Sequence, residues 1–150
     1  MSGPSRPAAE APPDDGVVAG RAAADAADLG WFVGHFIPPG QDGGNPRSTS
    51  ALEVKWAVYD GGEARTDWAL NRTATTLAVL VRGRFRLLFP GREVLLAAEG
   101  DYVLWRPGVP HAWAAEMPAI VLTVRWPSIA NDHVEVPGPD VGVLGSVAAP

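Results

Sequence analysis

The sequence predicts an all-β fold, one small antiparallel barrel or sandwich with disordered termini. Three observations predict it. Short runs of β-branched, aromatic or alternating residues recur at regular spacing. Almost every run ends at glycine or proline, of which the 150 residues contain 17 and 15. No segment between the runs keeps a helical period long enough for an interstrand helix. A chain of this length buries one core, so a single site is expected.

The elements follow in order. Arg21 to Asp28 is alanine-rich and stops at Leu29-Gly30, as a short helix would. Trp31 to Ile37 is bulky and ends at Pro38-Pro39-Gly40, which gives a first strand and then a polar loop over 41–50. From Leu52 to Tyr59, Leu52, Val54, Trp56 and Val58 alternate with Glu53, Lys55, Ala57 and Tyr59, a strand with two unlike faces. Asp60-Gly61-Gly62 turns the chain. Thr73 to Val81 leads through Arg82-Gly83 into Arg84 to Phe89, read as a hairpin. Arg92 to Ala98, Asp101 to Trp105, His111 to Ala115 and Ala119 to Trp126 complete about eight strands.

Charge divides the chain into three parts. Residues 1–29 carry two arginines against five carboxylates, residues 127–150 carry three carboxylates, and the body over 30–126 holds ten basic and nine acidic residues. The tails are Ala, Pro, Gly, Ser and Asp with almost no aromatics, so 1–29 is expected to be mostly disordered and 127–150 an extended or disordered acidic tail. A nearly neutral body has no basic stripe for a phosphate backbone, which argues against nucleic acid. No apolar run is long enough to span a membrane and no secretory signal is visible, so a cytoplasmic location is expected. The absence of cysteine excludes disulfides, thiolate metal sites and a cysteine nucleophile.

The most informative motif is Gly100-Asp101-Tyr102-Val103-Leu104-Trp105-Arg106-Pro107-Gly108-Val109-Pro110-His111-Ala112-Trp113. It resembles the second conserved motif of the cupin superfamily, in which a glycine is followed after five residues by Pro-x-Gly-x-x-His; only the first proline differs, replaced by Arg106. Pro107-Gly108 forces a tight turn, and His111 and Trp113, two apart on the following strand, share a face. The resemblance implies a cupin jelly-roll barrel over 30–126 with that face lining the lumen. It also implies a first motif whose two histidines and glutamate join the motif-two histidine around a metal. In this sequence Thr76 falls where the glutamate belongs when counting back from Gly83, and Trp68-Ala69-Leu70 falls on the His-x-His when counting from Gly62. None of these is a metal ligand, so no metal and no cofactor are expected. A site rebuilt from His35, His111 and Glu53 is the less favoured option.

The remaining polar and aromatic groups then define the pocket. Glu53 with Lys55, and Thr123 with Arg125, sit two apart on faces opposite apolar ones, and alternation leaves open whether those polar faces look into the lumen or out to water. Lys55 is the single lysine against 11 arginines. It is read as a placed ammonium able to hold a carboxylate, phenolate or carbonyl oxygen, with Glu53, Asp101 or Tyr102 as partner. All six tryptophans lie within 30–126. Some fill the core and others form aromatic walls for a flat ligand, with Trp68 placed in a loop at the mouth.

The expected binding residues are Lys55, Trp56, Trp68, Trp105, His111, Trp113 and Arg125. The expected function is a metal-independent barrel for a hydrophobic, aromatic or polyketide-like small molecule, serving sequestration, transport or self-protection in specialised metabolism. The alternative is a cupin-type isomerase or cyclase with His111 as acid–base and Tyr102 beside it; a metal-dependent oxygenase ranks below both. A homodimer is expected, with the first strand at or near the interface.

Overall fold

A computed structural model describes residues 15–136. The expected tails lie partly outside the described residues, over 1–14 and 137–150. Among the described residues the strands are β1 Trp31–Val33, β2 Glu53–Tyr59, β3 Glu63–Asn71, β4 Thr75–Arg82, β5 Phe85–Phe89, β6 Arg92–Leu96, β7 Tyr102–Trp105, β8 His111–Ala115, β9 Ala119–Trp126 and β10 His133–Val136. They form two five-stranded antiparallel sheets, ordered β1-β2-β9-β4-β7 and β10-β3-β8-β5-β6. From β2 onward the chain alternates between the sheets except at β5–β6, so the two sheets close on each other as a jelly roll. The all-β expectation holds. The alanine-rich segment contributes only the one-turn helix α1, Ala22–Asp25. No helix among the described residues is long and apolar enough to cross a membrane.

Four elements differ from expectation, the first being β10, His133–Val136, a strand paired with β3 where an extended or disordered tail was expected. Arg82-Gly83 is not the loop of a hairpin, because β4 and β5 belong to different sheets. Gly83 has φ +90°, and a Cβ there would stand 2.1 Å from the Pro118 carbonyl oxygen, so the chain passes under the β8–β9 corner into the opposite sheet. The first strand is shorter than Trp31 to Ile37, since its register on β2 breaks between Trp31 and Val33 and the chain has left the sheet before His35. The stretch after Asp60-Gly61-Gly62 is a full strand, β3, which carries Trp68.

The core lies between the sheets around Leu80, Phe85, Leu87, Leu96 and Val121, all at most 3% exposed. A smaller cluster of Trp68, Leu88 and Ala112, covered by Val136, sits on the other side of the second sheet. The alternation on β2 and β9 resolves with the charged parity inward. Glu53 is 8% exposed and the Arg125 side chain 14%, whereas Val58 and Trp126 on the opposite parity are 59% and 40% exposed. The first sheet therefore turns its polar face to the lumen and an apolar face outward, the reverse of the usual arrangement.

Candidate functional site

Strand register assembles the lumen in rows. Across β2, β9, β4 and β7 the partners Glu53, Arg125, Thr76 and Trp105 stand side by side. The next row holds Trp31, Lys55, Thr123 and Ala78. Side chains on one face of paired strands are neighbours, so these residues form one inner surface. The second sheet faces it with Arg65 paired to Trp113, and with His111 two residues back along β8. Between the sheets lies a cavity of about 60 Å³, lined by Lys55, Arg65, Thr76, Trp105, His111 and Arg125, among others. Its floor is aromatic: Tyr59 packs on Phe85 and Trp113 with ring centroids 4.8 and 4.6 Å apart.

Three cations share this small space. Arg125 Nη1 lies 3.6 Å from Glu53 Oε2, and its guanidinium carbon stands 4.7 Å from the centre of the Trp31 ring. Lys55 Nζ lies 5.7 Å from the same ring, so one indole faces two cations. Burial, then the charges of Arg125 and Arg65, lower Lys55 to about 8, with Asp28 acting weakly the other way. Burial lowers Arg125 to about 10; Glu53 opposes the shift and Arg65 adds to it, and the group stays charged at neutral pH. Arg65 is lowered as well, chiefly by burial. One of its nitrogens donates to the His111 carbonyl oxygen at 3.3 Å and another to His133 Nε2 at 3.3 Å.

The turn before β8 sets His111. Gly108, at φ +81°, donates its N–H to the Asn71 carbonyl at 2.7 Å, which docks the turn on β3. His111 is 3% exposed and its Nδ1 donates to the Val109 carbonyl at 3.2 Å. A carbonyl only accepts, so the proton sits on Nδ1 and Nε2 is left as an acceptor. Burial first, then Arg65, Arg125 and His133, lower the imidazole to about 3, against the opposing effect of the Val109 bond. His111 is neutral at every physiological pH.

Beside the polar lumen the barrel has an apolar opening. β6 and β7 are edge strands, one of each sheet, at the sides away from β10 and β1. A groove of about 800 Å³ lies there, bordered by Phe89, Val94, Val103, Trp105, Val109 and Pro110. Trp105 is common to the groove and the lumen and is 8% exposed.

This architecture is similar to solved structures of the double-stranded β-helix class. An uncharacterised conserved protein with a double-stranded β-helix domain from Klebsiella pneumoniae superposes with a TM-score of 0.53 at 18% identity, over 60% of this chain and 78% of that one. The DMSP lyase DddQ from Ruegeria pomeroyi gives 0.52 at 20% identity, over 61% of this chain and 46% of that one. A cupin-2 domain containing protein from Shewanella frigidimarina gives 0.45 at 16% identity, over 51% and 71%. The fold is that of the double-stranded β-helix. No protein-family model and no curated protein matches the chain.

The residues of this lumen do not fit a divalent metal. Among the described residues no group of three or more His, Asp or Glu is placed to hold one. Lys55, Arg65 and Arg125 surround His111 instead, and cations repel a cation. Thr76, at the position of the cupin glutamate, does line the lumen and is 0% exposed. His35 is exposed and does not line the cavity with His111, and its backbone N–H and its Nδ1 lie 3.0 and 2.6 Å from Ser128 Oγ.

The lumen brings together Lys55, Trp105, His111, Trp113 and Arg125 of the expected residues. It does not bring in the other three. Trp56 is on the outer parity of β2, Trp68 is buried on β3 in the second cluster, and Tyr102, 66% exposed on β7, borders the groove and not the lumen. Asp101 is no partner for Lys55 either, since its carboxylate accepts from the Ala97 and Ala98 N–H groups at 3.0 and 2.9 Å. Glu53 is committed to Arg125. Sequence reasoning missed Arg65, Tyr59 and Phe85 in the lumen and His133 at its rim, 5.9 Å from the His111 ring. Parity from Lys55 reaches Tyr59. A bulge between Arg65 and Ala69 breaks the alternation of β3 and hides Arg65.

Proposed function

We propose that this chain is a cupin and a metal-independent binding protein for a small hydrophobic, aromatic molecule. The observation that carries the reading is Trp105, which borders both the apolar groove and the cationic lumen. The lumen, about 60 Å³, suits a polar head. The groove, about 800 Å³, falls within the range of roughly 300–1,000 Å³ usual for small-molecule sites. Sequestration or transport needs nothing further from the chain. The acid–base alternative has less support, because Tyr102 borders the groove and not the lumen that His111 lines, and an imidazole lowered to about 3 is a weak base near neutral pH.

Chelator-treated protein titrated with planar naphthalene and anthraquinone derivatives tests the reading. A saturable change in tryptophan emission, removed by filling the groove with Val109→Trp, is expected. A flat response across the panel overturns it.

A homodimer belongs to the same proposal. The outer face of the first sheet presents Val54, Trp56, Val58, Leu122, Val124 and Trp126, none of them charged, with β1 at its edge. Two copies of an uncharged apolar face meet about a twofold axis without opposing like charges.

A further inference from the structure

Resting on that reading, we propose that the ligand enters the lumen through an oxyanion, the carboxylate of a small organic acid, held by Arg125, Thr76 and Trp105 with Lys55 and Arg65 facing it. The inference begins with unmet donors. Thr76 Oγ1, Trp105 Nε1, Arg125 Nε and Arg65 Nε are all buried and meet no hydrogen-bond partner among the described residues. Buried polar atoms are normally satisfied, and each exception asks for an account. All four belong to residues that line one cavity. Arg125, Thr76 and Trp105 are cross-strand neighbours in a single row.

The chemistry these groups require is one-sided. An indole N–H and a guanidinium N–H only donate, and a threonine hydroxyl can donate as well, so the missing partner is an acceptor. Lys55, Arg65 and Arg125 line the cavity, and the one carboxylate paired with them is Glu53, on Arg125. The missing acceptor therefore carries negative charge, since only an anion offsets like charges held in a confined space. About 60 Å³ admits a carboxylate head and little more. The apolar remainder of the acid lies past Trp105 in the groove.

Probes that share a body and differ in the head separate this inference from the reading beneath it. 2-Naphthoate, 2-naphthamide and acetate are titrated against ¹⁵N-labelled protein, following the Trp105 indole N–H resonance, assigned by its loss in Trp105→Phe. Naphthoate and acetate are expected to move that resonance, with naphthamide binding at least tenfold more weakly than naphthoate. Lys55→Met should weaken naphthoate about tenfold or more. Thr76→Val should weaken it severalfold while the melting temperature holds or rises, because the variant removes an unmet hydroxyl without changing shape. Equal affinity for naphthoate and naphthamide, unchanged in Lys55→Met, overturns the oxyanion and leaves the groove standing. Acetate and naphthoate both failing to move the Trp105 resonance also overturns the oxyanion. Acetate binding with neither naphthalene compound bound upholds the oxyanion and overturns the groove.

Discussion

Glu53 and Arg125 are register partners on the inner faces of β2 and β9, with carboxylate and guanidinium 3.6 Å apart and both side chains nearly buried. The pair balances one of the three lumen cations and competes with any incoming anion for the same guanidinium. Glu53→Gln is expected to cost about 1–3 kcal/mol of stability, because it leaves a buried charge less compensated. The same variant should bind naphthoate more tightly than wild type. Urea denaturation and calorimetric titration read the two effects, and a variant that lost both stability and affinity would contradict the competition.

Lys55 makes stability and binding run in opposite directions with pH. Arg125 on β9, Arg65 on β3, Asp28 ahead of β1 and the Trp31 ring are the groups around it. Its folded value, lowered to about 8, lies below that of the unfolded chain, so the unfolded state binds more protons between pH 8 and 10. Stability contributed by this group therefore rises over that window, by about 1–3 kcal/mol, as the buried charge is discharged. Anion affinity falls over the same window. Lys55→Met should flatten both slopes, which chemical denaturation and titration at matched pH would show.

Asp132 governs the acid side. Its carboxylate accepts from the N–H groups of Thr73 and Ala74 at 2.8 and 3.0 Å and from Asn71 Nδ2 at 3.2 Å, pinning the approach to β10 onto the β3–β4 connection. Burial opposes ionisation, but these donors prevail and the carboxyl is lowered. A depressed folded value means that its contribution is present above the unfolded pKa and is lost as pH falls through the folded one. Asp132→Ala should cost about 2–3 kcal/mol at pH 7 and show a shallower acid transition than wild type. Because β10 carries His133, the variant should also broaden the resonances of the lumen rim.

The outer face of the first sheet gives the fourth prediction. Val58 is 59% exposed, so Val58→Lys leaves folding intact. Combined with Val124→Lys it places like charges across the proposed twofold axis. Sedimentation should report a dimer for wild type and a monomer for the double variant, with naphthoate affinity retained in both. A monomeric wild type at micromolar concentration would retract the dimer.

The parts of this structure legible in the sequence are those set by local spacing. Pro107-Gly108 followed by His111 and Trp113 specifies a turn and a face, and β8 and β9 have the predicted bounds because both are alternating runs between proline or glycine stops. Alternation also separated Lys55 and Arg125 from Trp56 and Trp126. It carries no sign, however, and the inward choice shows only in the fold, where Glu53 of β2 and Arg125 of β9 stand side by side on the lumen face. Trp56 and Trp68 were expected at the ligand because tryptophan is a good aromatic wall, yet each has the parity of an outer face. Arg65 was hidden by the β3 bulge. β10 was illegible because His133–Val136 gains its order from pairing with β3, a long-range contact that no local pattern records.

The crowding of Lys55, Arg65 and Arg125 also bears on how long the molecule survives. An empty lumen holds charges that push the sheets apart, so local opening is easiest when nothing is bound, and an opened segment is what a protease cuts. A bound carboxylate offsets part of that charge and makes opening harder, and its binding free energy is added to the barrel's resistance. Protein with a carboxylate in the lumen would then outlast free protein under a protease, a difference that limited proteolysis reads.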